Sequence, residues 1–248
     1  MPRFAAALLP LLLVLAACAG RQTAGAESGP PARSETAAAL VRDAAKTLRE
    51  LRAASPNQEL DHWLQDARGV VVIPGVYRAG FLYSLHGGQG VVLARRADGA
   101  WSPPAFVSMG GAGFGVQAGL ERERLVLVLL EQEALDQVLE GGLDFGATAM
   151  FDAVGVREQT GPDSRTRGKP VLAFSDGFGL MAGVGMKGGG LGQFRSLNAA
   201  YHGQGAAEGA DVLRGDSIPG MEVLELWEAL RVDLPGETGG HITRGVRP

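Results

Sequence analysis

Cysteine is all but missing from this chain. Cys18 is the one cysteine in 248 residues, so no intramolecular disulfide can form and no cysteine-ligated metal site can assemble. Histidine is nearly as scarce, with four. His62, His86, His202 and His241 stand far apart, in neither His-x-His nor His-Glu-x-x-His spacing, and no close cluster supplies three or four metal ligands. A Gly-x-Ser-x-Gly nucleophile elbow is absent, and Ser175-Asp176 reads as a turn between strands. Lys+Arg number 23 against Asp+Glu 27, a net charge of −4, which is a poor match to phosphate backbones and argues against a nucleic-acid partner. No segment holds the ~20 consecutive apolar residues of a membrane-spanning helix. These absences point away from an enzyme, a resident cofactor and a metal centre.

The first residues carry a positive signal. Arg3 precedes an apolar run from Phe4 to Leu15, interrupted only by Pro10. That run fits the ~7–15 residues of a signal-peptide core and is too short to span a bilayer. It ends in Leu15-Ala16-Ala17-Cys18, which resembles a bacterial lipobox. Residues 1–17 are therefore expected to be a leader, with Cys18 the lipidated first residue of the mature chain. Several acyl chains on that thiol and amine, palmitate among them, would make a stable anchor where a single chain would not. Ala19 stands where an aspartate would favour the inner membrane, so the expectation is the periplasmic face of the outer membrane. Residues 18–33 read as a flexible tether and 235–248 as a disordered tail.

Between them lies one domain, 34–234, with 38 glycines in the whole chain and no collagen-like period. Ser34 is placed to cap a helix reaching about Ala54, whose Ala37, Leu40, Val41, Ala44, Leu48 and Leu51 follow helical spacing. Ser55-Pro56-Asn57-Gln58 resembles a capping box before a second helix with Leu60, Trp63 and Leu64. Strands follow: Val70–Ile73 ending at Pro74-Gly75, then Gly80–Tyr83 and Gly90–Ala94, with Asp98-Gly99 as a hairpin turn. A glycine-laced segment follows over Met109–Leu120, and further strands are expected over Leu125–Leu130, Phe145–Val156, Val171–Phe174, Gly177–Met186 and Gln193–Leu197. Short helices are expected at Glu131–Glu140 and Met221–Arg231. The fold class is α+β: a central antiparallel, glycine-rich sheet or half-barrel, flanked by N- and C-terminal helices.

Several runs resemble the SYLF domain family. They are Gly69-Val70-Val71-Val72-Ile73-Pro74-Gly75-Val76 with Ala79-Gly80-Phe81, and Gly87-Gly88-Gln89-Gly90-Val91-Val92-Leu93 with Trp101-Ser102-Pro103-Pro104. Gly113 to Gly119, Ser175-Asp176-Gly177-Phe178-Gly179, and Asn198 with Tyr201-His202-Gly203 continue the pattern in order. Tyr83-Ser84-Leu85-His86 departs from it where a glycine pair is usual. The resemblance implies a lipid-binding, non-enzymatic module, since the family includes phosphoinositide- and actin-binding proteins and many bacterial lipoproteins.

Candidate lipid contacts are the cations of the first helix, Arg42, Lys46, Arg49 and Arg52, together with Arg78 and a basic loop with Arg165, Arg167 and Lys169. Membrane lipids are the expected partner, with an envelope protein a further one. The alternative is a structural or protein-interaction module whose lipid anchor is its only membrane contact. Gly183-Val184-Gly185-Met186-Lys187-Gly188 fits G-x-G-x-x-G, but more glycines follow instead of a helix, so no nucleotide site is expected. The glycines read two ways, as curvature in a sheet or as the floor of a cleft.

Overall fold

The computed structural model describes residues 30–55, 58–80, 83–114, 119–140, 143–144, 150–152, 171–176 and 189–232. The expected leader, Cys18, the loop with Arg165, Arg167 and Lys169, the 183–188 glycine run and the tail lie outside the described residues.

Helix α1 spans Pro30–Ala54, starting about one turn before Ser34. It turns Ala37, Val41, Ala44 and Leu48 fully inward. Helix α2, Glu59–Asp66, is anchored by Ser55, whose Oγ accepts the Leu60 N–H at 3.0 Å. Four long strands follow: β1 Gly69–Gly80, β2 Tyr83–Ala94, β3 Ala105–Phe114 and β4 Gly119–Leu129. Then come α3 Gln132–Glu140, β5 Leu143–Asp144, β6 Met150–Asp152, β7 Val171–Ser175 and β8 Gly189–Gln193. Helices α4 Arg195–His202, α5 Gly209–Arg214 and α6 Met221–Leu230 close the described chain. The sheet order is β5-β8-β3-β2-β1-β4-β7-β6. Every pair is antiparallel except β6 with β7. The architecture is the α+β arrangement read from the sequence, an open sheet between terminal helices.

Both sheet faces are covered, which explains why Val70-Val71-Val72-Ile73 is a continuous apolar run instead of an alternating one. Val70 and Val72 face one core with α1, α2, α4 and α6. Val71 and Ile73 face a second core with α3 and α5.

Two expectations are corrected. Pro74-Gly75 does not end the first strand, because β1 continues through it by a bulge. Val72 pairs with Val91 and Gly75 with Gln89, so Ile73 and Pro74 together oppose Gly90. On the β4 side the register also slips between Ile73 and Val76. Proline, which has no N–H to offer the ladder, thus sits where the ladder is already broken. A Cβ on Gly90 would lie 2.2 Å from the Val72 carbonyl oxygen, and one on Gly88 2.7 Å from that of Gly75. The glycines of Gly87-Gly88-Gln89-Gly90 therefore let β2 close onto the bulge. The second correction concerns Gln193–Leu197, expected as strand. The strand stops at Gln193, and α4 begins at Arg195.

The turn at Asp98-Gly99 forms as expected: Gly99 takes φ +83°, and Asp98 Oδ1 accepts the Ala100 N–H at 2.9 Å. Behind it, Ser102 Oγ accepts the Ala94 N–H and the Ser102 carbonyl accepts the Trp227 indole N–H, each at 2.9 Å. The Trp-Ser-Pro-Pro motif is a brace between β2 and α6.

Candidate functional site

Beyond the bulge the strands pass out from under the helical layer. Tyr77 is 51% and Leu85 68% exposed there. Between the outer half of α1 and this part of the sheet runs a cleft of about 470 Å³, continuous with a smaller one of about 290 Å³ through the shared Asp43, Pro74 and Arg122. Gly75, Gly87 and Gly88 form its floor.

The bulge positions the charged wall. Arg122 on β4 pairs in register with Tyr77 on β1. Its guanidinium lies 5.7 Å from the Tyr77 ring centroid and donates to the Pro74 carbonyl at 3.1 Å. A Cβ on Gly75 would come within 2.9 Å of Arg122 Nε and 3.2 Å of the Tyr77 ring. Pro74 thus supplies an acceptor, and Gly75 supplies the space across which Arg122 lies. In the smaller recess Arg124 is consumed internally: its backbone N–H donates to Asp176 Oδ1 at 2.6 Å, and its guanidinium pairs with Asp176 and Glu50. Asp176 accordingly holds β4 against the end of β7, which gives Ser175-Asp176 a structural task.

A larger recess, about 670 Å³, lies beside Trp101, Trp227 and Leu224. Its main polar groups already hold the fold together. Arg95 covers the Trp101 ring at 4.2 Å and donates to the Leu64 carbonyl at 2.7 Å, while the Trp227 N–H goes to Ser102.

Of the expected cations, Arg42, Lys46 and Arg49 are exposed along α1, Lys46 lying 3.8 Å from Glu50. Arg52 is not with them. Its side chain is 18% exposed, ion-paired with Asp61 and donating to the Ala229 carbonyl. It clamps α1 to α2 and α6. Arg78 lies on β1 in register with His86 and Glu121. Tyr77 and Arg122, now central to the cleft, went unremarked in the sequence. The only signal was an aromatic and an arginine in strands rich in glycine and charge.

The closing motif is structural. Tyr201 donates to Glu222 at 2.6 Å and packs edge-on against Phe106 at 5.3 Å. Burial, with Glu222 beside it, raises the phenol pKa and keeps the proton in place. His202 Nε2 lies 2.8 Å from the Pro104 carbonyl and so donates to it, while buried Nδ1 has no partner among the described residues. Protonating Nδ1 would bury a charge, and burial lowers the His202 pKa accordingly. The unfolded chain, with a histidine pKa of about 6.5, then binds the extra proton first. Stability from His202 is full above that value and is lost as the pH falls below it. Urea titrations from pH 8 to pH 5 should show this decline, and His202→Gln should flatten it.

Among the described residues no group of three or more His, Cys, Asp or Glu is placed to hold a metal, and no helix is long and apolar enough to cross a membrane. The fold is an α+β domain whose bulged, glycine-rich sheet leaves an open cleft beside its first helix. Residues 110–232 match the Ysc84 family model, described as a Las17-binding protein actin regulator. The chain belongs to this Ysc84, or SYLF-domain, family. It is 32% identical over 197 residues to SH3 domain-containing YSC84-like protein 1 of Xenopus laevis, covering 76% of this chain and 58% of that one. It is 34% identical over 174 residues to Protein YSC84 of Saccharomyces cerevisiae, covering 66% and 36%. LAS seventeen-binding protein 3 of the same yeast is 33% identical over 144 residues, 56% and 31%. The chain thus spans between about a third and three fifths of the length of these relatives, none of which bears an enzyme's name. No solved structure matches it.

Proposed function

We propose that this chain is a non-catalytic, lipid-anchored Ysc84-family protein of the bacterial envelope, tethered through Cys18 at the periplasmic face of the outer membrane, whose folded domain also contacts lipid headgroups. The observation that supports this is the row Arg42, Lys46 and Arg49, exposed on the outer side of α1. That helix begins about a dozen residues after Cys18, a span of at most ~40 Å. A lipid anchor would therefore hold these cations close to headgroups, where each contributes about 1 kcal/mol at an anionic surface.

A second reading is favoured by a different observation. Ile218, Met221 and Leu224, around the start of α6, are 49%, 71% and 40% exposed. Such a patch suits a protein partner, and the relatives named for binding Las17 or carrying SH3 domains point the same way.

Flotation of unlipidated residues 19–248 with neutral and anionic vesicles, at low and high salt, separates the two. The lipid reading expects salt-sensitive flotation with anionic vesicles. Changing Arg42, Lys46 and Arg49 to Gln should weaken it about a hundredfold. Equal behaviour of the triple variant and the parent would leave the protein-partner reading standing.

A further inference from the structure

We propose that the cleft between α1 and the bulged strands binds a zwitterion bearing a phosphate and an ammonium group, the chemistry of an ethanolamine phosphate headgroup. The larger recess of this cleft is lined by one cation, Arg122 on β4, and one carboxylate, Asp43 on α1. No ion pair joins the two. Arg122 is held instead by the Pro74 carbonyl and the Tyr77 ring, and Asp43 has no charged partner among the described residues. An arginine and an aspartate that share a cleft without meeting leave room for a ligand of the reverse polarity between them.

Arg122 is prepared for an oxyanion. One Nη is committed to Pro74, and the remaining N–H groups of the guanidinium fork are available to phosphate. Asp43 offers an ammonium its counter-charge, while the half-exposed Tyr77 ring, already under the Arg122 guanidinium, helps hold that cation in place. Gly87, where a Cβ would meet nothing nearer than the Met109 carbonyl at 3.5 Å, keeps a side chain out of the recess, so a small, compact headgroup can approach the backbone there. The sequence spends Pro74-Gly75, a bulge in a central strand, on placing Arg122 at this point. A simple anion would use only one of these charges. The anionic-surface contact of Arg42, Lys46 and Arg49 is a separate matter, and the present proposal rests on the lipid reading only for the source of the ligand.

The test titrates O-phosphoethanolamine, inorganic phosphate and ethanolamine calorimetrically into the full chain in a maltoside detergent. Phosphoethanolamine should bind about fivefold more tightly than phosphate, and ethanolamine alone more weakly still, the effect of one added exposed ion pair to Asp43. Asp43→Asn should bring it down to the level of phosphate, and Arg122→Gln should abolish both. Melting curves of both variants guard against a folding defect, and Tyr77→Ala, which removes one support of Arg122, should weaken phosphate as well. Equal affinity for phosphate and phosphoethanolamine, or an affinity untouched by these substitutions, overturns the proposal. Vesicles matched in anionic lipid, with and without phosphatidylethanolamine, identify the source. Recruitment that depends on phosphatidylethanolamine and is lost in Asp43→Asn assigns the lipid; binding in solution without it assigns a soluble phosphoethanolamine compound. Because the titration needs no membrane, it can succeed where anionic-vesicle flotation fails, and the reverse.

Discussion

Replacing Asn198 by leucine is expected to lower stability by about 3 kcal/mol, although the two side chains are close in size. Asn198 is fully buried. Its Oδ1 accepts the Phe106 backbone N–H at 2.6 Å, and its Nδ2 donates to the Ala207 carbonyl at 3.1 Å. It therefore fastens α4 to β3 and to the segment leading into α5. Leucine would leave a buried N–H and a partly buried carbonyl without those partners, each costing roughly 1–3 kcal/mol, offset in part by better apolar burial. Chemical denaturation of parent and variant measures the difference. A loss under 1 kcal/mol would mean that water takes over both groups.

Gly90→Ala should be comparably damaging, about 3 kcal/mol, at the upper end of what overpacking costs. The added methyl would meet the Val72 carbonyl at 2.2 Å and the Ile73 side chain at 2.8 Å, and the first of these is backbone that cannot swing aside. Gly205→Ala is the control, since a Cβ there meets nothing within 4 Å. It should stay within about 0.5 kcal/mol of the parent. If the two alanines behaved alike, the bulge would have to be plastic enough to reopen, and the account of Gly87-Gly88-Gln89-Gly90 given above would fall.

These two positions also show what a sequence yields and what it withholds. The inner stripe of α1, the apolar halves of β1 and β4 and the Asp98-Gly99 turn were legible because each depends on neighbours within a few positions, whereas β2 was read in two pieces. The course of β1 through Pro74 was not, since the residue that permits it is Gly90, on another strand. Helix α4 was missed for a related reason. It buries only Leu197, Asn198 and Tyr201, one of them an amide, so its apolar period is weak, and the group that Asn198 satisfies lies 92 residues away. Arg52 could have been placed correctly. It follows Leu48 by four positions and so continues the inward stripe of the helix, yet its charge suggested the outer face. The cleft was the least legible feature, because Asp43, Tyr77 and Arg122 come from three separate elements and only the assembled sheet brings them together.

The first helix of the described chain lies against the last, with Arg52 of α1 bonded to the Ala229 carbonyl of α6. Order of assembly follows from that arrangement. As the chain emerges from its N-terminal end, α1 has no such partner until α6 has followed. Strand β3 likewise lacks its outer neighbour until β8 has been added. For that interval Ala37, Val41, Ala44 and Leu48 have only part of their eventual cover, so the unfinished chain is an amphipathic helix in need of a holder. A chain stopped short of residue 221 would remain in that condition.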